Sequence, residues 1–264
     1  MITINELRKA LNRIAPEESA ESWDNCGFQI NTGRENYSRI LVCLEITKAV
    51  IEEAKEKKAE LIITHHPLYF GSFKEVDNNK IIGNYTIELI KADISVYSSH
   101  TCFDKAEGGN NTKLCELFGL INAAPLFTGD GKFDYVGYTA ELPEEKTVSE
   151  IAMLVSETLA LAPGELRYTG DGAKRIKKIG VCSGAGVDIA FSAAAKGCEL
   201  FITGDVKYHE AQNARETGIA LIDAGHFGTE KIFASNMAER LSAEIGDKAE
   251  VLVSTTDINP FVCI

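Results

Sequence analysis

Apolar residues occur along the chain in short, nearly continuous runs, and helical patterns lie between these runs. Because the runs are rich in Ile, Leu and Val, they predict strands that are buried on both faces. The predicted strands are 39–45, 59–65, 94–100, 135–142, 178–184, 198–204 and 219–225. The predicted helices are 47–58, 79–91, 147–161, 187–196 and 208–217, and a further helix begins within residues 1–16. This alternation indicates an α/β fold with mainly parallel or mixed sheets.

The chain also contains an internal repeat. Residues 39–69 align without a gap with residues 178–208, and ten of the 31 aligned positions are identical. A second pair of segments, 94–104 and 220–230, aligns at a different offset, and in both a histidine is followed four residues later by an acid. The aligned pairs are His100 with His226 and Asp104 with Glu230. Similar strands and helices alone do not explain these polar matches, so we interpret them as a duplication.

The duplication predicts two pseudo-symmetric α/β halves related by a pseudo-twofold axis. The expected boundaries are 1–120 for the first half and 171–264 for the second. Residues 121–170 would connect them through one strand and one helix. We expect a metal site between the halves.

All five histidines lie at or just beyond the carboxyl end of a predicted strand. They are His65, His66, His100, His209 and His226. In open α/β sheets, ligands bind at this edge. The placement therefore favours a shared binding site over five scattered structural roles.

The segment THHP, residues 64–67, carries the most specific signal. Imidazole is a common nitrogen ligand for divalent transition metals. Adjacent side chains point to opposite faces within a strand, but the chain turns at the strand end, and Pro67 keeps His66 out of the helical region. Both rings can then face one cavity, and each could bind one ion of a pair. The alternative is a capped strand end with two surface histidines.

Two further segments supply acids near histidines. In HFGTE, His226 and Glu230 share one face if a helix begins there, and in HTCFD an Asp could bind one ion or bridge two. The predicted ligands are His65, His66, Asp104, His226 and Glu230. Five ligands for two ions leave coordination positions open, as in catalytic sites.

Three other polar residues are expected near this set. We predict a catalytic role for His100, which would orient a ligand or move a proton; the alternative is that His100 is itself a ligand. Asp205 and His209 face the same region in the sequence pattern and could contact substrate. For His209, a structural role is an equal alternative.

Composition narrows the class of protein. The net charge is −12, so the chain repels nucleic-acid phosphates and we expect no nucleic-acid partner. Seven cysteines without a CxxC pair favour buried thiols over disulfides and indicate a cytoplasmic protein. No apolar run reaches the roughly 20 residues that span a bilayer, so we expect no membrane contact.

With these motifs assembled, the chain resembles the Nif3-like dinuclear metal centre proteins, whose members are often called GTP cyclohydrolase 1 type 2 homologues. The matching segments are SWDNCGFQI (22–30), LIITHHP (61–67), SSHTCFD (98–104), TGDVKYHEA (203–211), GHFGTEK (225–231) and TTDINPF (255–261). The resemblance implies two divalent metal ions per subunit and a toroidal homohexamer. It implies the same five ligands and leaves His100 outside that set. The connecting segment is too short for the extra domain found in some relatives, so this is the short form.

The predicted function is a metal-dependent hydrolase that acts on a small molecule, either a nucleotide or another phosphoester. The alternative is a hexameric ring scaffold or a metal-dependent regulator without turnover. A ligand set of histidines and carboxylates suits Zn, Fe, Mn, Ni or Co, so the sequence leaves the metal open.

Overall fold

The structure, a computed structural model, describes residues 1–263. Its strands are β1 (Ile2–Thr3), β2 (Gly27–Ile30), β3 (Asn36–Tyr37), β4 (Arg39–Cys43), β5 (Leu61–Thr64), β6 (Ser95–Ser98), β7 (Ile121–Phe127), β8 (Tyr135–Thr147), β9 (Arg167–Tyr168), β10 (Arg175–Val181), β11 (Leu200–Thr203), β12 (Ala220–Asp223) and β13 (Glu250–Val253). Its helices are α1 (Ile4–Ile14), α2 (Lys48–Glu56), α3 (Ile81–Lys91), α4 (Thr101–Lys105), α5 (Asn110–Leu117), α6 (Val148–Thr158), α7 (Ala190–Ala195), α8 (Tyr208–Thr217), α9 (His226–Glu230) and α10 (Phe233–Ile245). The predicted α/β fold is confirmed.

The chain folds as two compact units. Unit 1 consists of Met1–Gly109 and Ile232–Ile258, and unit 2 consists of Asn110–Lys231 with the residues from Asn259 onwards. Unit 1 thus includes a C-terminal segment that the sequence analysis placed with the second half. The reason is strand pairing, because β13 adds to the edge of β4 as a parallel neighbour.

Unit 1 is built on a five-stranded sheet in the order β13-β4-β5-β6-β2. The first four strands run parallel, and β2 pairs with β6 in the antiparallel direction. Every residue of β5 and β6 is buried, as expected for strands in the interior of a parallel sheet, although β6 begins and ends with serine. Residues of α2 and α3, including Val50, Ile51 and Leu89, pack with Ile62 and Val96 in one core cluster.

Unit 2 is built on a six-stranded sheet in the order β7-β8-β10-β11-β12-β9. Strands β10, β11 and β12 run parallel, whereas the other pairings are antiparallel. Its core cluster contains Phe201 and Leu221 from the sheet and Ala190 and Ala214 from α7 and α8. The carboxyl ends of four parallel strands therefore meet at one edge of the unit 1 sheet, and those of three meet at one edge of the unit 2 sheet.

The strand pairing agrees with the first part of the internal repeat. Ile40 lies opposite Leu61 in unit 1, and Ile179 lies opposite Leu200 in unit 2. Both members of the second pair are 139 residues after those of the first, which is the offset of the alignment of 39–69 with 178–208.

The third strand of each unit does not follow the predicted alignment. Leu61 lies opposite Ser95, whereas Leu200 lies opposite Ala220, which gives an offset of 125 where the sequence alignment had 126. The shift continues into the next turn. The Asp104 amide donates to the His100 carbonyl oxygen, and the Thr229 amide donates to that of Gly225.

The alignment of the two histidine-to-acid segments is therefore wrong by one residue. The backbone places His100 in the position of Gly225, and His226 in that of Thr101. The pattern of a histidine followed four residues later by an acid is present in both units, but at positions that are not equivalent.

Within residues 1–263, none of the helices has both the length and the apolar character needed to cross a membrane.

Candidate metal centre

Two adjacent histidines follow the last residue of β5. The amides of His65 and His66 both donate to the carbonyl oxygen of Leu44, each at 3.0 Å. The chain turns at this shared acceptor, and the two ring centroids lie 5.2 Å apart with their planes at 40°. Two adjacent side chains can therefore face the same region, whereas in a regular strand they would point to opposite faces of the sheet.

The buried ring of His65 has a fixed orientation. Its Nδ1 lies 3.0 Å from the carbonyl oxygen of Ser99, and because a carbonyl only accepts, Nδ1 carries the proton. In the neutral ring the lone pair is then on Nε2, which lies 3.6 Å from Oδ1 of Asp104. The Phe233 ring packs against His65 with a centroid distance of 4.9 Å. This lone pair therefore faces the carboxylate of Asp104 in the buried interior of unit 1.

His100 is held by a carboxylate from a distant part of the sequence. Its Nδ1 lies 2.9 Å from Oδ1 of Asp24, whose other oxygen accepts from the amide and hydroxyl of Thr101 at 3.1 and 2.6 Å. Burial favours the neutral form of Asp24, yet the hydrogen bonds from His100 and Thr101 hold the pKa of that carboxyl well below its usual range. Asp24 therefore stays ionised and fixes the His100 ring.

Unit 1 brings three imidazoles together. One nitrogen of each of His65, His66 and His100 can be chosen so that all three lie within 4.8 Å of one another. The His100 centroid is 5.0 Å from that of His65 and 5.6 Å from that of His66. This geometry keeps open the alternative that His100 is a ligand, alongside its predicted role in moving a proton.

In unit 2, His226 contacts two carboxylates. His226 begins α9, its Nε2 lies 2.9 Å from Oε2 of Glu230, and its Nδ1 lies 2.8 Å from Oδ2 of Asp205. Glu230 is buried, four residues further along the same short helix. The sequence predicted this helical pairing, but it did not assign Asp205 to His226.

Two glycines make room for this group. A Cβ on Gly184 would lie 2.2 Å from Oε1 of Glu230, and one on Gly204 would lie 2.6 Å from the His226 amide nitrogen. Gly204 is 139 residues after His65 and occupies the equivalent strand-end position. At this strand-end position unit 1 has the imidazole of His65, whereas unit 2 has room only for glycine.

The carboxylates that orient the histidines were missed as partners in the sequence. Asp24 is 76 residues from His100, and Asp205 is 21 residues from His226, so no local spacing joins either pair. Glu45, whose Oε2 lies 3.6 Å from Nδ1 of His66, was missed for the same reason. The only sequence signal was position, since Glu45 and Asp205 lie just beyond strand ends.

The donor chemistry of these residues fits divalent metal ions. Metal-binding histidines usually present one ring nitrogen to the ion while a carbonyl or carboxylate holds the other, as Ser99 does for His65 and Asp205 for His226. Asp104 and Glu230 add oxygen donors within α4 and α9. The remaining histidine of the five, His209, lies exposed on α8 beside the ring of Tyr208.

Fold and donors together define an α/β protein with histidine–carboxylate groups at the carboxyl ends of parallel strands. The family model Duf34/NIF3 (NGG1p interacting factor 3) matches residues 2–260. The chain belongs to this family, and the predicted resemblance is confirmed.

Relatives of similar length support the assignment. A Clostridium perfringens protein named GTP cyclohydrolase 1 type 2 homolog is 35% identical over 263 residues, 98% of each chain. A Helicobacter pylori protein named GTP cyclohydrolase 1 type 2 is 38% identical over 243 residues, 91% of this chain and 92% of that protein.

Experimental structures show the same fold. Staphylococcus aureus protein SA1388 gives a TM-score of 0.90 at 25% identity and covers 100% of this chain and 99% of its own. A Bacillus cereus protein related to NIF3 also gives 0.90, at 21% identity and with all of both chains covered.

Proposed function

We propose that this protein is a metal-dependent hydrolase that uses two divalent ions. The proposed ligands are His65, His66, Asp104, His226 and Glu230. The ions would be Zn, Fe, Mn, Ni or Co, since nitrogen and carboxylate donors without thiolates suit all five.

The observation that carries this proposal is the orientation of the imidazoles. A hydrogen bond from Nδ1 of His65 to a carbonyl, and a contact of Nδ1 of His226 with a carboxylate, leave Nε2 in each ring as the nitrogen that can bind an ion. In each case Nε2 also lies within 3.6 Å of a carboxylate oxygen. Such preorganisation supports binding, because the side chains need little rearrangement.

A bound pair of ions would supply the Lewis acidity that makes water a nucleophile near neutral pH. The protein's own contribution is then proton transfer. Asp24 holds Nδ1 of His100, so Nε2 can accept a proton from the attacking water and donate it to the leaving group. The ionised Asp24 would stabilise the imidazolium that forms between these two transfers.

We propose a nucleotide or another phosphoester as the substrate. The names of the relatives from C. perfringens and H. pylori support a nucleotide. The sequence contains no GxxxxGK[ST] loop, so phosphate groups would be held by the ions or by backbone amides.

The test combines metal content with turnover. Elemental analysis of the purified protein should find two divalent ions per chain, and the metal-loaded protein should hydrolyse at least one member of a nucleotide and phosphoester panel. The variant His65→Ala/His66→Ala should lose ions and turnover while its circular dichroism and sedimentation stay unchanged.

The matched control is Gln212→Ala, which truncates an exposed residue on α8 and should keep both ions and turnover. A folded, metal-loaded protein that hydrolyses nothing on the panel would overturn the hydrolase. If the double histidine variant instead loses its assembly, the ions have a structural role and the scaffold alternative gains support.

A further inference from the structure

Two large aromatic side chains lie exposed beside His100. Trp23 is 57% exposed and Phe70 is 69% exposed. Their ring centroids are 5.9 Å apart with planes at 49°, and each centroid is 6.1 Å from that of His100. Two water-exposed rings thus share one neighbour, and that neighbour belongs to the three-imidazole group.

Hydrogen bonds between the two segments hold these aromatic residues near each other. The Asn25 side chain donates to the carbonyl oxygen of Tyr69 at 3.0 Å, and Oε1 of Gln29 accepts from both Asn25 and the Tyr69 amide. Trp23 is two residues before Asn25, and Phe70 directly follows Tyr69. The aromatic pair is therefore part of a built surface.

This surface also continues into the machinery of the site. Trp23 directly precedes Asp24, which fixes the His100 ring, and Phe70 lies four residues after His66. Any ligand that covers the two rings would lie next to His100. The aromatic pair is thus placed to position a substrate for the group that moves protons.

Exposed rings of this size leave apolar area in water that a flat ligand could cover. Because the pair is tilted and not stacked face to face, a planar ring can pack against one aromatic face and contact the edge of the other. Stacking of nucleobases on aromatic side chains tolerates different bases, since every base has a π-face.

We propose that Trp23 and Phe70 form a subsite for the planar heteroaromatic ring of the substrate. The inference rests on the proposed function for the identity of the neighbouring metal centre, and it names the part of the substrate that the protein side chains recognise. Heteroatoms at the ring edge could hydrogen-bond to His100, while the remainder of the substrate extends towards the ions.

The chain contains a single tryptophan, so the fluorescence of Trp23 reports on this surface directly. Guanosine, which has a ring but no phosphate, is titrated into the full-length protein with excitation at the red edge of tryptophan absorption. We expect saturable quenching by guanosine and none by ribose 5-phosphate or inorganic phosphate at the same concentrations.

Substitutions at Phe70 separate stacking from general quenching. Phe70→Ala should weaken guanosine binding by roughly 5- to 150-fold, which is the range expected for loss of one stacking partner. Phe70→Tyr should restore it. Phe191→Ala, which removes another exposed phenylalanine in unit 2, should leave the Kd unchanged.

Equal quenching by the ring-free probes, or an unchanged Kd in Phe70→Ala, would overturn the subsite. So would a Trp23 emission that shifts with protein concentration alone, because a second copy of the chain would then cover the rings. Guanosine binding without turnover of any substrate would support the subsite and contradict the proposal of a hydrolase. Turnover of ring-free phosphoesters without guanosine binding would support the hydrolase and contradict the subsite.

Discussion

The carboxylate of Asp205 fixes the orientation of the His226 ring together with Glu230. Oδ2 of Asp205 lies 2.8 Å from Nδ1, and Oε2 of Glu230 lies 2.9 Å from Nε2, so each ring nitrogen contacts one carboxylate. Asp205 itself has a positive φ of 55°, a conformation that Asp and Asn adopt more readily than most residues. Both its charge and its backbone geometry therefore suit the position.

Asp205→Asn should weaken metal binding by about tenfold, since loss of a carboxylate behind a histidine ligand reduces its basicity. Asparagine tolerates the same backbone conformation, so the variant should keep its stability. Affinity is measured by competition with a chromogenic chelator. The exposed Asp130→Asn is the charge-matched control and should bind as the original protein does. An unchanged affinity in Asp205→Asn would show that this contact does not tune the ligand.

At the scale of elements, helix α2 connects two distant parts of unit 1 through Glu53. Its carboxylate accepts hydrogen bonds from the residues that follow β13, with distances of 2.5 Å to Ser254 Oγ, 2.8 Å to the Thr255 amide and 2.7 Å to Thr256 Oγ1. Burial favours the neutral acid, but these donors and Lys57 lower the pKa of Glu53 well below its usual range. The edge strand β13 is thereby fastened at its carboxyl end.

Glu53→Gln should lower the free energy of unfolding by about 2 kcal/mol at neutral pH, because hydrogen bonds to a charged acceptor are lost. A depressed pKa in the folded state stabilises the fold above the ordinary value of 4.5, and this stabilisation is lost as the pH falls below it. The difference between the variant and the original should therefore stay constant above about pH 5.5 and shrink as the pH falls below about 4.5 in urea titrations. Glu52→Gln, in the exposed pair with Lys55, should change stability little at any pH. A difference that stays constant with pH would contradict this account.

Sequence periodicity predicted strands and helices with buried faces because burial requires apolar residues at regular spacing within a short stretch of chain. The run RILVCLE predicted β4, and the pattern 47–58 predicted α2, with ends within two residues of those observed. Strand β7 was not predicted, because most of its residues are exposed and it therefore lacks a continuous apolar run. The pairing of β13 with β4 and the contact of Asp24 with His100 join residues far apart in the chain, and periodicity holds no information about such pairs. The sequence also could not reveal the one-residue shift in the repeat. The sequence alignment matched residues of the same type, such as His100 with His226, whereas strand register depends on hydrogen bonds that the sequence does not show.

At the scale of the whole molecule, the homohexamer implied by the family resemblance stays a prediction. Each chain carries a net charge of −12, so assembly must overcome repulsion between like-charged subunits. Dissolved salt screens this repulsion over about 10 Å at 0.1 M ionic strength.

Sedimentation equilibrium should give a mass of six 28.7 kDa chains at moderate salt, and smaller species should increase as the salt is diluted. Treatment with a chelator should remove the ions and leave the mass unchanged if the ions serve catalysis. Dissociation on chelation would favour the scaffold alternative. A monomer at every salt concentration would exclude the predicted ring.

The missing side chain at Gly204 restricts which residues of unit 1 can be copied to the equivalent position of unit 2. Any residue larger than glycine there would place its Cβ 2.6 Å from the amide nitrogen of His226, so a histidine like His65 could not be introduced unless the backbone at Gly225 and His226 moved. A single substitution at position 204 therefore cannot give unit 2 the strand-end histidine of unit 1.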